Sequence, residues 1–298
     1  MPKRIIVLGT MRSGTSLTAD LVRRWGAYHG GDDNLWKSDI QDPRGYGYME
    51  YIPLQELNDA LLDHNDRVPP LRAVMESRVQ DPELRHKARN LLEKMDEQAV
   101  TNRFDAWIWK DARLPLTIPF WERLWGDPIY VVTIRHPAEV ALSSARTEEI
   151  DESQLPFSAG LTYWQYCMLN ILSFTQHSDK KIFMSYEQLL NEPEYECTRL
   201  SRFLDKHSEK PSADAQRRIE AMLPQVMRSQ RHHHYEKSLA EMEQATREQR
   251  ALYNFLRVKV MYPDEAFREE DFALYPGWQE YLQAMDMVLT LSQSDKHG

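Results

Sequence analysis

The sequence has 298 residues, of which 42% are hydrophobic and 28% charged, and its formal net charge at pH 7 is -9. This composition excludes the disordered, collagen-like and membrane-spanning classes and predicts a folded, water-soluble chain with one core. The acidic balance argues against nucleic acid as a partner, because neutralising phosphates requires an excess of Lys and Arg.

Four short apolar runs predict the strands of the core. They are residues 5–8, 106–109, 129–134 and 182–184, and most are rich in β-branched or aromatic residues. Each run ends at a glycine or at polar residues, which is typical of buried strands that enter a loop. We therefore predict a sheet of at least four strands.

Helical patterns separate these runs. The first helix carries Leu17, Leu21 and Trp25 on one face and ends at Gly26. Further helices are predicted after Pro53, over residues 81–100, from Pro137 to Ala145 and, as one long charged helix, over residues 236–260. Strands that alternate with helices predict a three-layer α/β fold with a mostly parallel central sheet and helices on both faces. We assign residues 1–298 to a single domain, with the core over about 5–205 and a helical extension over about 206–298.

Two features bear on the cellular compartment. Cys167 and Cys197 lie in predicted helices without a partner at metal-ligand spacing, so we expect two buried thiols in a reducing environment. The apolar run at residues 5–8 is far too short for a signal peptide. The expected location is therefore cytoplasmic.

The segment between the first strand and the first helix has the frame of a phosphate-binding loop. Residues 9–16 read Gly-Thr-Met-Arg-Ser-Gly-Thr-Ser, with Gly9 and Gly14 bracketing four residues. Such glycines let main-chain N–H groups turn inward, and the helix N-terminus adds its positive end. The groups expected to bind a phosphate or sulfate here are the main-chain N–H groups of Ser13, Gly14, Thr15 and Ser16.

This loop differs from that of the nucleoside triphosphatases. It lacks the lysine that contacts the β and γ phosphates, because Thr15 stands where the lysine would be. A cation instead precedes the second glycine, at Arg12. Arginine offers several fixed N–H donors, so we expect Arg12 to contact a bridging oxygen or a terminal anionic group.

The loop and two later segments together resemble the sulfotransferase superfamily. Residues 12–16 are similar to the family's 5'-phosphosulfate loop, and residues 129–145 are similar to its strand and helix around the 3'-phosphate. Residues 184–204 resemble its fourth strand and the helix that follows. The resemblance covers most of residues 5–204 and implies sulfuryl transfer from 3'-phosphoadenosine 5'-phosphosulfate (PAPS). In it, Arg135 and Ser143 are the positions that hold the 3'-phosphate.

Such a reaction needs a general base near the open side of the loop. Glu50 is the first candidate, because it ends a glycine-rich segment that is similar to a Gly-Tyr-x-x-Glu stretch of family members. Asp33 is the alternative, since it follows Arg12 at a spacing seen for the base in other branches. Either carboxylate is equally well explained as solvated or as a helix cap.

Lys110 ends the second predicted strand and points toward the ligand edge of such a sheet. It is expected to contact the sulfuryl group or an acceptor oxygen. The alternative is an ordinary ion pair with Asp111 or Glu122. No carboxylate cluster at metal spacing lies near the loop, so no metal is expected.

The sequence leaves the acceptor open among a small molecule, a glycan, a lipid head group and a peptide, and it leaves the oligomeric state open as well. Aromatic residues near Glu50 predict either an aromatic wall against which a sugar, a phenol or adenine would lie, or ordinary packing. A cationic stretch predicts either a second anion contact or, preferably, a solvated loop. The aromatic set is Trp36, Tyr46, Tyr48 and Tyr51, and the cationic set is Arg228, Arg231, His232, His233 and His234.

Two other functions compete with sulfuryl transfer. One is a phosphate-loop kinase or NTPase, in which Asp111 would hold Mg²⁺ for ATP. The other is a nucleotide-binding module that keeps the site without catalysis.

Overall fold

The computed structural model describes residues 1–36, 48–63, 72–145, 157–208, 215–228 and 243–261. Its centre is a four-stranded sheet with the order β2-β1-β3-β4, and every pairing in it is parallel. The strands are β1 (Lys3–Leu8), β2 (Ala106–Lys110), β3 (Ile129–Ile134) and β4 (Lys181–Ser185). All four predicted strands and their parallel arrangement are confirmed.

The register of the sheet places the ends of three strands beside one another. Val7 of β1 pairs with Lys110 of β2, and Leu8 of β1 pairs with Val132 of β3. The chain leaves β1 between β2 on one side and β3 on the other, which makes this edge a topological switch point. Ligands of parallel α/β sheets bind outside the carboxyl ends of the strands at such a point.

The side chains of the strands alternate between two hydrophobic cores. Ile6 and Leu8 face one core, whereas Ile5 and Val7 face the other. The first core is covered by α2 (Ile52–Leu61), α3 (Arg72–Gln80), α4 (Pro82–Thr101), α5 (Leu114–Trp121), α6 (Pro137–Ala145), α7 (Phe157–Thr175) and α11 (Arg247–Met261). The second is covered by α1 (Thr15–Trp25), α8 (Tyr186–Asn191), α9 (Pro193–His207) and α10 (Ala215–Arg228). The predicted three-layer arrangement is therefore confirmed.

Local signals account for several helix boundaries. The first helix ends at Gly26, which adopts a φ of 128° that favours glycine. Asp81 caps α4 by accepting hydrogen bonds from the N–H groups of Glu83 and Leu84. These boundaries lie within a residue or two of the predicted ones.

The predicted helix over residues 236–260 is wrong at its start for the part that the structure describes. Residues 243–246 are not helical, and α11 begins at Arg247. The cause is a capping box, in which Thr246 Oγ1 accepts from the Gln249 N–H at 3.2 Å and Gln249 Oε1 accepts from the Thr246 N–H at 2.9 Å. Residues 236–242 lie outside the described ranges.

Both cysteines are buried free thiols, as predicted. Cys167 lies in α7 and Cys197 in α9, and burial raises the pKa of each thiol to about 12. Among the described residues, no helix has both the length and the apolar character that crossing a bilayer requires. The assignment of residues 1–298 to one domain stays a prediction.

Candidate functional site

The loop between β1 and α1 is fixed by its own hydrogen bonds and by close packing of its second glycine. The N–H and the hydroxyl of Ser13 both donate to the carbonyl of Thr10, at 3.1 and 2.6 Å. Gly14 has a φ of 95°, and a Cβ at this position would lie 2.4 Å from the ring of Tyr186. Any larger residue at position 14 would therefore be strained and would displace that ring.

The beginning of α1 has the character of an anion site. Gly14 supplies no side-chain cap, and the first turn contains no acidic residue. Helix N-termini carry unsatisfied N–H groups and a partial positive charge, which favour a bound anion. Thr10 adds a buried hydroxyl that has no hydrogen-bond partner among the described residues. The N–H of Ser13, which we predicted as an anion donor, instead donates within the loop. The donors that fit a phosphate or sulfate group are therefore the N–H groups at the start of α1 and the hydroxyl of Thr10.

Arg135 reaches this loop from the end of β3. Its Nη1 donates to the main-chain carbonyl of Arg12 at 2.9 Å, and its Nε donates to Glu139 Oε2 at 3.0 Å. The guanidinium also lies 4.7 Å from the ring centroid of Tyr186. These three contacts fix a buried arginine beside the loop between β1 and α1.

A second contact joins the loop to α6. Arg12 Nε donates to Ser143 Oγ at 2.9 Å, although the two residues are 131 positions apart in the sequence. Ser143 is buried, whereas Arg12 is exposed on a backbone with a φ of 66°. The structure therefore brings Arg12, Arg135 and Ser143 into one cluster, the three side chains that the sequence assigned to nucleotide binding.

Glu50 and Lys110 form a buried ion pair at the end of β2. Their charged atoms are 2.7 Å apart, and their side chains are only 8% and 3% exposed. Lys110 Nζ also donates to the carbonyl of Tyr48 at 2.9 Å. The backbone of Glu50 is held by Trp36, whose N–H donates to the Glu50 carbonyl at 2.8 Å. Within the described ranges, the ion-pair partner of Lys110 is Glu50, so the alternative pairing with Asp111 or Glu122 is wrong.

A buried polar network surrounds Asp111, the next residue along. Its carboxylate accepts from the main-chain N–H and Nη1 of Arg113, at 2.8 and 3.0 Å, and from Asn58 Nδ2 at 2.8 Å. Asn58 Oδ1 in turn accepts from Thr117 Oγ1 at 2.9 Å and from Trp121 Nε1 at 2.7 Å. The side-chain amide of Asn58 therefore links α2 to the end of β2 and to α5, next to the Glu50–Lys110 pair.

Burial and the nearby Glu50 carboxylate raise the pKa of Asp111 from 3.8 to about 6. Because the folded state binds this proton more tightly than the unfolded state does, Asp111 stabilises the fold below about pH 4. That contribution is lost as the pH rises through about 6.

We expect the stability difference between the native protein and Asp111→Asn, measured as the free energy of unfolding, to fall by about 2 kcal/mol between pH 4 and pH 7. Urea unfolding of both proteins across this range measures the difference, in which groups that titrate alike in both cancel. Parallel stability curves would show that Asp111 does not titrate in this window.

The other predicted residues are exposed, packed in the core or outside the described ranges. Asp33 is exposed in the 3-10 helix Asp32–Asn34. Tyr51 is buried and packs against Gly30, so core packing and not an aromatic wall explains the position of its side chain. Trp36 is 39% exposed, and its ring centroid is 4.8 Å from that of Tyr48. The side chain of Arg228 and the residues Tyr46, Arg231, His232, His233 and His234 lie outside the described part of the chain.

Sequence reasoning missed several residues of this site. Tyr186 stands directly after β4 and contacts both Gly14 and Arg135, a position that the strand end already indicated. Glu139 is four residues after Arg135 on a predicted helix, and this spacing is the signal for an ion pair. Asn58 interrupts the apolar face of α2, which marks a buried polar residue without identifying its partners.

The fold is that of a parallel α/β protein with a glycine-containing loop between its first strand and first helix. A model of the sulfotransferase family matches residues 2–210, and the chain belongs to that family. Its structure is similar to the crystal structure of sulfotransferase STF9 from Mycobacterium avium, with a TM-score of 0.50 and 16% identity over 95% of this chain and 76% of that one. It is also similar to the sulfotransferase domain of the Synechococcus PCC 7002 olefin synthase, with a TM-score of 0.45 and 17% identity over 92% and 93% of the two chains. No curated protein matches the sequence.

Proposed function

We propose that this sulfotransferase-family chain is an enzyme that transfers a sulfuryl group from PAPS to a hydroxyl or amine of an acceptor. The observation that carries the proposal is the contact between two anion-binding elements. Arg135 donates to the loop carbonyl of Arg12 at 2.9 Å across 123 positions of sequence. A nucleotide with phosphate groups at both its 5' and 3' positions needs two such elements side by side, and family membership favours this class of donor.

The residues present fit the two ends of this donor. The 5' end would lie against the N–H groups at the start of α1, with the hydroxyl of Thr10 within the same loop. The 3'-phosphate would lie against Arg135 and Ser143, which stand eight positions apart on the end of β3 and on α6. Tyr186 packs between the two elements through Gly14 and Arg135 and holds them in place.

In the transfer, the acceptor oxygen or nitrogen bonds to sulfur while the bond from sulfur to the 5'-phosphate oxygen breaks. The electron pair of the broken bond stays on that phosphate, and adenosine 3',5'-bisphosphate leaves. Preorganised main-chain donors are suited to the charge that grows there, because they need no rearrangement during the reaction. We assign to Lys110, at the neighbouring strand end, the neutralisation of charge on the sulfuryl oxygens.

We assign Glu50 as the general base that takes the proton of the acceptor. Its Oε1 already accepts from Lys110 Nζ at 2.7 Å and from the Ala112 N–H at 3.3 Å. Its Oε2 lies 3.8 Å from Arg113 Nη1, beyond hydrogen-bond distance. We therefore assign Oε2 as the atom that takes the proton, while the ion pair to Lys110 orients the carboxylate.

Transfer of ³⁵S from labelled PAPS to a panel of phenols, sugars, amines, lipid head groups and peptides tests this function. We expect at least one class of acceptor to become labelled, with one adenosine 3',5'-bisphosphate formed per sulfuryl group transferred. Tight nucleotide binding without transfer to any class would instead support a non-catalytic binding module. The acceptor class found in this way also identifies the partner that the sequence leaves open.

The kinase or NTPase alternative is not supported by the surroundings of Asp111. Its carboxylate is buried, and both of its oxygens accept hydrogen bonds, Oδ1 from Arg113 and Oδ2 from Asn58. A residue that holds Mg²⁺ for ATP needs those oxygens for the metal. The cytoplasmic location and the exclusion of nucleic acid stay predictions from the sequence.

A further inference from the structure

We infer that Asp111 is a positioning residue for the proposed general base: it holds the Arg113 guanidinium away from Glu50 Oε2 and so leaves that oxygen able to take the proton of the acceptor. The inference rests on the proposed function. Asp111 and Arg113 have no part of their own in that reaction, because both act through Glu50.

One nitrogen of Arg113 lies between two carboxylates. Its Nη1 donates to Asp111 Oδ1 at 3.0 Å and is 3.8 Å from Glu50 Oε2. A shift of about 1 Å would therefore exchange one hydrogen bond for the other. The side chains of all three residues are at most 11% exposed, so water screens these charges little. The two carboxylates thus compete for the same donor.

Contacts on the side of Asp111 hold the guanidinium in its present place. Asp111 Oδ1 also accepts from the main-chain N–H of Arg113 at 2.8 Å, and Asp111 Oδ2 accepts from Asn58 Nδ2 at 2.8 Å. Asp59 follows Asn58 on α2, and its Oδ1 is 2.6 Å from Arg113 Nε. The guanidinium is therefore fixed by two carboxylates other than that of Glu50.

The charge around Glu50 depends on the protonation of Asp111. Among the described residues, the charged side chains that the structure places around the Glu50 carboxylate are Lys110, Asp111, Arg113 and, through Arg113, Asp59. With Glu50 they sum to a formal charge of -1 when Asp111 is ionised, and to zero when it is neutral. Without the charge of Asp111, the guanidinium is drawn to Glu50 Oε2. A carboxylate oxygen that a guanidinium engages in this way takes a proton less readily.

The titration of Asp111 places this change at a measurable pH. Burial, and then the Glu50 carboxylate, raise the pKa of Asp111 to about 6. Asp111 is therefore ionised above about pH 6, where Oε2 is available, and neutral below it, where the guanidinium moves to Glu50. We expect kcat of the native protein to fall as the pH falls through about 6.

Rates of sulfuryl transfer between about pH 5 and about pH 8.5 test the inference. At about pH 7.5, kcat of Asp111→Asn should be lower than that of the native protein by about 10-fold or more, with KM for PAPS within about twofold and no fall near pH 6. Adding Arg113→Met removes the competing donor and restores the formal charge of -1, so kcat of this double variant should return to within about threefold of the native value.

Two further variants complete this experiment. Arg113→Met alone should also lack the fall near pH 6, which keeps the test decisive if Asp111→Asn does not fold. Asp63→Asn is the matched control, because Asp63 is an exposed carboxylate that is paired with a different arginine, Arg78. It should keep the native pH profile.

A second measurement does not depend on sulfuryl transfer. Urea unfolding of Glu50→Gln, Arg113→Met and the combined variant gives the coupling between the two side chains as a ratio of unfolding equilibrium constants. Because the guanidinium moves to Glu50 when Asp111 is neutral, we expect this coupling at about pH 7.5 to be larger by about threefold or more in an Asp111→Asn background than in the native one.

Three results overturn the inference while leaving the proposed function intact. They are a native fall near pH 6 that persists in Asp111→Asn, a folded double variant whose kcat stays as low as that of Asp111→Asn, and equal coupling of Glu50 with Arg113 in the two backgrounds. A native protein that labels no acceptor would instead refute the proposed function, and with it the assignment of Oε2 as the base.

Discussion

Replacing Glu50 by Gln is expected to lower kcat by about 100-fold or more while the dissociation constant of adenosine 3',5'-bisphosphate stays within about twofold. Gln keeps the shape of the side chain and an oxygen that accepts from Lys110, but it cannot take a proton from the acceptor. In the proposed site the nucleotide lies at the loop and at Arg135, whereas the Glu50 carboxylate accepts hydrogen bonds from Lys110 and Ala112. Steady-state kinetics with the labelled acceptor, together with calorimetry, measure both quantities.

Asp33→Asn is the matched control, because Asp33 is the other carboxylate that the sequence offered as a base. It is exposed in a 3-10 helix, so its substitution should leave kcat close to that of the native protein. A large loss of kcat in Asp33→Asn with normal turnover in Glu50→Gln would transfer the role to Asp33. Equal turnover in all three proteins would remove both carboxylates from the mechanism.

Replacing Arg135 by Ala is expected to weaken bisphosphate binding by about 100-fold or more and to lower the free energy of unfolding by about 3 to 5 kcal/mol. Both effects follow from its position, because the buried guanidinium pairs with Glu139 and donates to the carbonyl of Arg12. Removing one member of a buried pair leaves the other charge in a poorly solvated site. Calorimetry and urea unfolding measure the two effects separately.

The double variant Arg135→Ala with Glu139→Gln separates the structural role of Arg135 from its binding role. Removing the negative charge of Glu139 should restore most of the lost stability. Nucleotide affinity should remain low, since the donor to the 3'-phosphate is still absent. Recovery of binding along with stability would mean that Arg135 acts only by holding the fold together.

The strands, the loop after β1 and the positions of Arg135 and Ser143 were predictable because their signals are local. The apolar runs end at residues that a parallel sheet places at one edge, and Arg135 and Ser143 lie on a strand end and on the helix that follows it. The contact between Arg12 and Ser143 was not predictable, because its direction depends on the loop backbone and on packing 131 positions away.

The contacts of Glu50 could not be predicted from the sequence for a different reason. The sequence offered Lys110 a partner next to it, yet the structure pairs it with a carboxylate 60 positions earlier. The backbone of Glu50 is in turn hydrogen-bonded to Trp36, a contact between segments that no periodic pattern connects. Helix α5 was not predictable either, because seven of its eight residues are buried and nearly all are apolar, so it shows no amphipathic period by which a helix is recognised.

Titration of the native protein with adenosine 3',5'-bisphosphate, and separately with ATP and Mg²⁺, tests most directly whether the phosphate loop and Arg135 hold one doubly phosphorylated nucleotide. We predict a single site that binds the bisphosphate and a much weaker response to ATP with Mg²⁺. Tight binding of ATP with Mg²⁺ and no binding of the bisphosphate would contradict the assignment of this site to a PAPS-dependent reaction.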